Sequence, residues 1–384
     1  MNAGSKTADW LSQEFLADPY PHYAAMRESD PVHFDESRGS WLLFRYADVE
    51  PAFRDNERFS AEQQLGGSML VTDPPDHTRL RTLVSKAFTA RTVSGLAPRI
   101  HGLVDDLLDA AAARGEMDAI ADFAYPLPIT VIAEMLGVEP ERRDFFRTAS
   151  QKIAVAMGPI TDAETAFRAI EGRNELISYF EELIPKRKAE PRDDVLSGLV
   201  QAEDRGDALT HGELLAMLLL LLVGGHETTV NLIANGLLAL MRNPNQVEML
   251  RSENGIEKRA VEELLRYDAP VQYSGRVAKH DIEIGGKHIR AGEGVRMIIG
   301  SANRDPEAFD DPDRLDLTRD AHEHVAFGAG VHFCLGAQLA RLEGQIAIST
   351  AVRRFPKVRL ATTHLRWRPA PVLRGLETLP VKFT

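Results

Sequence analysis

The sequence predicts a mainly α fold, a helix-rich body with a small β region set to one side. Three observations predict it. Apolar residues recur at helical spacing over several long stretches. Strand-like segments are short and cluster in two places. No repeat, low-complexity tract or linker divides the 384 residues, so the chain reads as a single domain, 1–384.

Taken in order, Trp41 to Arg45 forms the first strand cluster. His77 and Arg81 stand one turn apart at a helix start. Arg99 to Ala113 and Thr165 to Lys188 carry helical periodicity. Glu213 to Met241 is the core of a long central helix, about 211–242, which Asn243-Pro244 ends because proline cannot donate or continue the turn. Ile256 to Tyr267 is a further helix. Gly275 to Ile299 holds the second strand cluster, with Gly285-Gly286 as a hairpin turn between Asp281–Ile284 and Lys287–Ile289. Pro306 to Arg319 has turn chemistry, and Leu335 to Arg354 is the last long helix.

The composition, 44% hydrophobic and 27% charged, is that of an ordinary globular protein. A net charge of -12 argues against nucleic acid or an anionic membrane as partner. One cysteine excludes a disulfide framework and a Cys-rich zinc site, and it fits a reducing cytoplasm. Met1 to Trp10 lacks the apolar core of a signal peptide. The most apolar run, Leu214 to Val223, covers about half of the ~20 residues a membrane span needs. It is read as a buried core helix, with no membrane anchor expected.

The most informative segment is 327–336, Phe-Gly-Ala-Gly-Val-His-Phe-Cys-Leu-Gly. Cys334 sits just before a helix, where the dipole and unpaired N–H groups favour thiolate. Glycines 328, 330 and 336 let the backbone turn tightly and approach a flat partner. Two other readings stay open from these residues alone: a small buried hydrophobe, and a nucleophile with His332 as its base. A dinucleotide fingerprint fails, since Phe333 stands where the third glycine belongs.

Three further constellations carry chemistry. In Gly224-Gly-His-Glu-Thr228, Gly224 leaves space beside a helix, Thr228 offers a hydroxyl and Glu227 can relay protons. The plain alternative is a kinked buried helix with Glu227 on an exposed face. Glu263-Leu-Leu-Arg266 puts opposite charges on one helix face, most often a solvated pair. Asp73-Pro-Pro-Asp-His77-x-x-x-Arg81 presents two basic groups, which are ordinary surface cations unless an anion meets them.

Together these residues resemble the cytochrome P450 family. The likeness rests on Phe327-x-x-Gly330-x-x-x-Cys334-x-Gly336 and the three motifs above in the family's order, and it runs from about Asp18-Pro-Tyr-Pro21 to the C-terminus. It implies a cytochrome P450-like fold and a haem-thiolate monooxygenase that inserts one oxygen atom of O2 into an apolar small molecule in bacterial secondary or lipid metabolism. It implies haem b held through Cys334, with Phe327, Gly330 and Gly336 shaping the ligand loop. It further implies propionate contacts from His77, Arg81, Arg276 and His332, and Gly224, Glu227 and Thr228 on the oxygen side. Glu263 and Arg266 are implied to form a buried network completed by Arg314. Electrons are implied to come from a ferredoxin or flavodoxin with an NAD(P)H-dependent reductase. Arg79, Lys86, Arg91 and Arg341 are candidates for its docking patch. Rival readings are a non-hydroxylating haem protein, a peroxide-driven haem enzyme and a haem-free cysteine hydrolase. Against the family pattern, the stretch 59–73 is short, which leaves the pocket mouth open. Expected pocket positions are Leu65 to Val71, Ile153 to Met157, Met217 to Gly225, Val271 to Ser274 and Leu373.

Overall fold

The structure, a computed structural model, describes residues 9–62, 67–154, 163–204 and 209–383. Its organising element is the central helix His211–Arg242. A capping box starts it: Thr210 Oγ1 accepts from Glu213 N, and Glu213 Oε2 accepts from Thr210 N. It ends at Asn243, and Pro244 opens the next helix, Pro244–Ser252. By length and composition it could cross a membrane, yet 67% of its most apolar window is buried. Helices Pro126–Met135, Ala337–Arg354 and Glu257–Tyr267 cover it. A helix apolar on most sides that is wrapped by others is a core helix.

Five strands form one sheet in the order Val32–Asp35, Ser40–Leu43, Gly294–Met297, Ser274–Ala278, Phe59–Ser60. The two strand clusters of the sequence meet here, because Ser40–Leu43 pairs in parallel with Gly294–Met297. The expected hairpin forms between Ile282–Ile284 and Lys287–Ile289, and Gly285 and Gly286 both take positive φ. A second sheet, Glu116–Asp118 with Pro380–Lys382 and Arg359–Leu360, has strands too short for alternation to reveal.

Buried apolar side chains fall into three clusters. The largest surrounds the central helix. The second joins the sheet, through Val295 and Met297, to the loop residues Val325, Ala326 and Ala329. The third is an N-terminal aromatic group of Trp10, Phe15, Tyr20, Tyr23 and Phe44.

The Glu263–Arg266 pair is fully buried, not solvated. Arg266 Nε donates to Glu263 Oε2 at 2.7 Å and its Nη2 to Oε1 at 2.8 Å. Its Nη1 caps the carbonyls of Asn303 and Pro312. The role expected of Arg314 is corrected: its side chain is exposed, and only its carbonyl accepts from Arg266 Nη2, at 3.3 Å. The third charged side chain is Arg319, whose Nε lies 3.2 Å from Glu263 Oε2. A turn in which Asp316 accepts from Thr318 folds Arg319 back, while Asp316 N donates to Glu263 Oε1.

Candidate functional site

The segment 327–336 is braced from behind. Gly330 has φ +68, and a Cβ there would stand 2.8 Å from Phe53 O and from Arg54 Cα, so the loop lies directly on helix Tyr46–Arg54. Cys334 N donates to Phe327 O at 2.9 Å. The Arg341 guanidinium stacks 4.5 Å from the Phe327 ring and pairs twice with Glu262, which also meets His324. Desolvation raises Glu262, but the His324 and Arg341 hydrogen bonds prevail and take it down to about 2.

The last long helix begins at Ala337, two residues later than expected, because Cys334, Leu335 and Gly336 form its entry turn. The N–H groups of Gly336 and Ala337 act on the Cys334 sulfur, as do the guanidiniums of Arg81 and Arg341. Cys334 keeps an exposed surface, yet desolvation by the protein packed around it outweighs these groups and raises the thiol pKa. The helix start does act toward thiolate as expected, and desolvation opposes it. Coordination to a cation deprotonates a thiol outright, and the same donors then stabilise the anion.

Beside Cys334 lies a cluster of basic groups with no anion of its own. Both ring nitrogens of the buried His77 lack a partner, as does His332 Nε2. The two rings sit 4.3 Å apart. Arg81, on helix Asp76–Ser85, donates to Val331 O at 3.1 Å, and Arg276 to Gly275 O at 2.8 Å. Neither guanidinium has a carboxylate partner among the described residues. Desolvation lowers the pKa of all four groups, and for His332, with Arg276 and His77 adding to it, down to about 3. Asp73, the nearby acid, is engaged by Lys279 at 2.9 Å and by Ala61 N. Partly buried donors of this kind, with His77 fully buried among them, call for an external acceptor, and planar guanidiniums suit carboxylates. A Cβ on Gly336 would meet nothing within 4 Å, so a flat group can approach there. The donor set fits a porphyrin with acidic side chains.

On the central helix, a Cβ at Gly224 would meet only Leu220 Cδ1, at 3.6 Å. Thr228 Oγ1 donates to Gly224 O at 3.2 Å. Glu227 is 1% exposed, not on an exposed face. Its Oε2 accepts from Arg368 Nη1 at 2.9 Å, and its Oε1 lies 3.4 Å from His226 Nε2. Desolvation raises this carboxyl, but His226 and Arg368 prevail and hold it below the ordinary range. Sequence reasoning missed Arg368, Arg319 and the role of His226. Arg368 lies about 140 residues along the chain from Glu227 in a segment without periodicity, so no spacing signal pointed to it.

Two pairs of expected pocket positions meet: Val271 bridges to Leu373, and Met69 N donates to Met217 Sδ. Leu65, Gly66 and residues 155–157 lie outside the described residues. In the short 59–73 stretch, the described part holds one 3-10 turn, Met69–Val71. The basic patch is also corrected. Arg79 pairs with Asp76 and Glu213 and Arg341 with Glu262, which leaves Lys86 and Arg91 as its exposed members.

The family model described as Cytochrome P450 matches residues 43–364. The chain belongs to the cytochrome P450 family. Cytochrome P450 107B1 of Saccharopolyspora erythraea is 46% identical, with 96% of each chain covered. Vitamin D(3) 25-hydroxylase of Pseudonocardia autotrophica is 41% identical over 98% of this chain and 97% of that one. Among solved structures, P450BioI in complex with a hexadec-9Z-enoic acid ligated acyl carrier protein superposes with a TM-score of 0.92 at 39% identity. That match covers 97% of this chain and all of the other. As a P450 of this bacterial group, the protein is a monooxygenase that uses haem b and O2, takes apolar substrates and needs redox partners.

Proposed function

We propose that the chain is one P450 domain in which Cys334, on the loop 327–336, would bind the haem iron through its thiolate. In this reading His77, Arg81, Arg276 and His332 hold the propionates, and Glu227 and Thr228 on the helix 211–242 supply protons on the oxygen side. One observation carries this: the partnerless ring nitrogens of His77 and His332 and the half-buried guanidiniums of Arg81 and Arg276, which have no carboxylate partner among the described residues, converge beside the protein's sole cysteine. A haem held there by Cys334 and these basic side chains would supply the chemistry of dioxygen activation and oxygen insertion.

The chain's own residues do the rest. Arg81 ties the propionate cluster to the ligand loop through Val331 O. Arg276, with its ring contact to Phe53, ties it to the helix that braces Gly330. Thr228, with its hydroxyl on the Gly224 carbonyl, can turn toward a ligand at Gly224 without moving the helix. Glu227, held as a carboxylate, accepts a proton from water and passes it toward Thr228. This acid–alcohol pair supports the dioxygen route over a peroxide-driven one.

The substrate is an apolar molecule of macrolide, terpenoid, steroid or fatty acyl type, met by Met69, Met217, Val271 and Leu373. Reducing equivalents come from a ferredoxin or flavodoxin served by an NAD(P)H-dependent reductase, and the enzyme works in the cytoplasm. Cys334→Ser abolishes the thiolate-type absorption of the reduced carbon monoxide complex; an unchanged spectrum removes Cys334 from the iron. Arg276→Ala speeds haem loss to apomyoglobin by roughly tenfold or more, the loss of one charge-assisted hydrogen bond. Unaltered retention counts against the propionate role.

A further inference from the structure

The acid of the central helix has a neighbour that the proton route above does not use. His226 is 0% exposed and precedes Glu227. Its Nδ1 lies 2.7 Å from the Leu222 carbonyl. A carbonyl only accepts, so Nδ1 carries a proton. The open question is Nε2, which three oxygens face: Ser150 Oγ at 3.3 Å, Tyr125 Oη at 3.4 Å and Glu227 Oε1 at 3.4 Å.

Their hydrogen-bond roles decide it. Ser150 Oγ has one proton and a Phe146 carbonyl 2.7 Å away, so toward Nε2 it is an acceptor. Glu227 Oε1 has no hydrogen-bond partner and is an acceptor while the carboxyl is ionised. Only the Tyr125 hydroxyl could donate, and it also reaches the Arg147 carbonyl at 3.4 Å. A bare Nε2 would set its lone pair against two acceptors in a buried site, whereas a protonated one satisfies them and completes Glu227. Two cations oppose the extra charge: Arg368 on Glu227 Oε2, and Arg147 over the Tyr125 ring at 4.9 Å. Arg368 is offset by Glu227 itself, and Arg147 is engaged by the face of the Tyr125 ring.

We infer that His226 is the proton partner of Glu227: it holds a second proton on Nε2 and yields it to Glu227 Oε1, so that Glu227 can be spent as an acid and refilled inside the core. In that step the Nε2–H bond breaks and an Oε1–H bond forms. The imidazole is left neutral with its proton on Nδ1, and water arriving beside Arg368, whose side chain is 26% exposed, restores the proton through Glu227. Arg368 cannot take this part, because a guanidinium does not release its proton near neutrality, and an imidazole does. The 3.4 Å separation is a few tenths of an ångström beyond a formed hydrogen bond, a gap that working complexes close. Tyr125, in the turn before Pro126–Met135, and Ser150, on helix Arg143–Ala154, hold the ring on this line.

The inference rests on Glu227 and Thr228 serving the oxygen side, and the test separates the two. The haem-loaded enzyme is labelled with 15N-histidine and examined in its diamagnetic reduced carbon monoxide form, with His226→Phe identifying the resonance. Protons on both ring nitrogens at pH 7, with Nε2 losing its proton in Glu227→Gln, support the inference. A bare Nε2 in the unmodified enzyme overturns it. In turnover, His226→Phe lowers product formed per electron pair at least about tenfold, less than the roughly 10²–10⁴-fold that a complete general acid supplies, because Glu227 remains. Full coupling in that variant also overturns it. Thr228→Ala diverts electrons to peroxide or water. If it does not, the acid–alcohol reading itself fails, whatever the nitrogen spectrum shows.

Discussion

Glu343 on the last helix shows how a single side chain can set a pH limit. It is 1% exposed and neither oxygen has a partner. Desolvation pushes its carboxyl up to about 8 from an ordinary 4.5. Between those values the folded state keeps a proton that the unfolded chain releases. The contribution of Glu343 to stability is therefore fully present below about pH 4.5 and is lost as pH rises toward 8, by up to about 1.4 kcal/mol per pH unit. Glu343→Gln, which cannot ionise, melts higher than the unmodified protein at pH 8, and the gap closes near pH 4.5. A pH-independent difference would show that Glu343 is ionised in the fold. Nothing in the Leu-Glu-Gly context of the sequence marked this carboxyl as buried. Cys334, by contrast, was legible because it is the sole cysteine and its glycines reported a shaped loop.

Between helix Glu257–Tyr267 and the turns of 306–319, the buried charges form one unit. Arg266→Ala leaves the buried Glu263 with only the peripheral Arg319 and the Asp316 N–H, and costs about 3–5 kcal/mol in thermal or denaturant unfolding. Arg319→Ala costs less, since Glu263 keeps Arg266, while Arg314→Ala, which removes an exposed side chain, stays within about 0.5 kcal/mol. Equal losses from Arg314 and Arg319 would undo this assignment. The Glu-x-x-Arg spacing revealed the pair but not the third member. Two arginines lie in the turn region at positions 314 and 319, and hydrogen bonding within the turn, invisible to spacing, chooses between them. Helices were read well for the opposite reason: His211–Arg242 and Ala163–Ala189 match the expected spans to within about two residues, because burial of one stripe writes itself into the sequence at every turn.

Over the whole molecule, a net charge of -12 leaves few places where an acidic electron donor could settle. With Arg79 and Arg341 already paired, a docking patch on this face would rely on the exposed Lys86 and Arg91. Lys86→Glu with Arg91→Glu slows reduction by an acidic ferredoxin several-fold at low ionic strength, and the gap narrows with added salt as charges are screened. A rate indifferent to both changes would move the docking site elsewhere. Pairing across the large sheet was the least legible feature, since register between distant strands leaves no local trace. That same pairing has a consequence for how the protein is made. Ser40–Leu43 lies beside Gly294–Met297, so it waits while about 250 further residues are synthesised. At bacterial elongation rates that is roughly ten to fifty seconds on the ribosome with an unsatisfied apolar edge, long enough for chaperones to govern the yield of active enzyme.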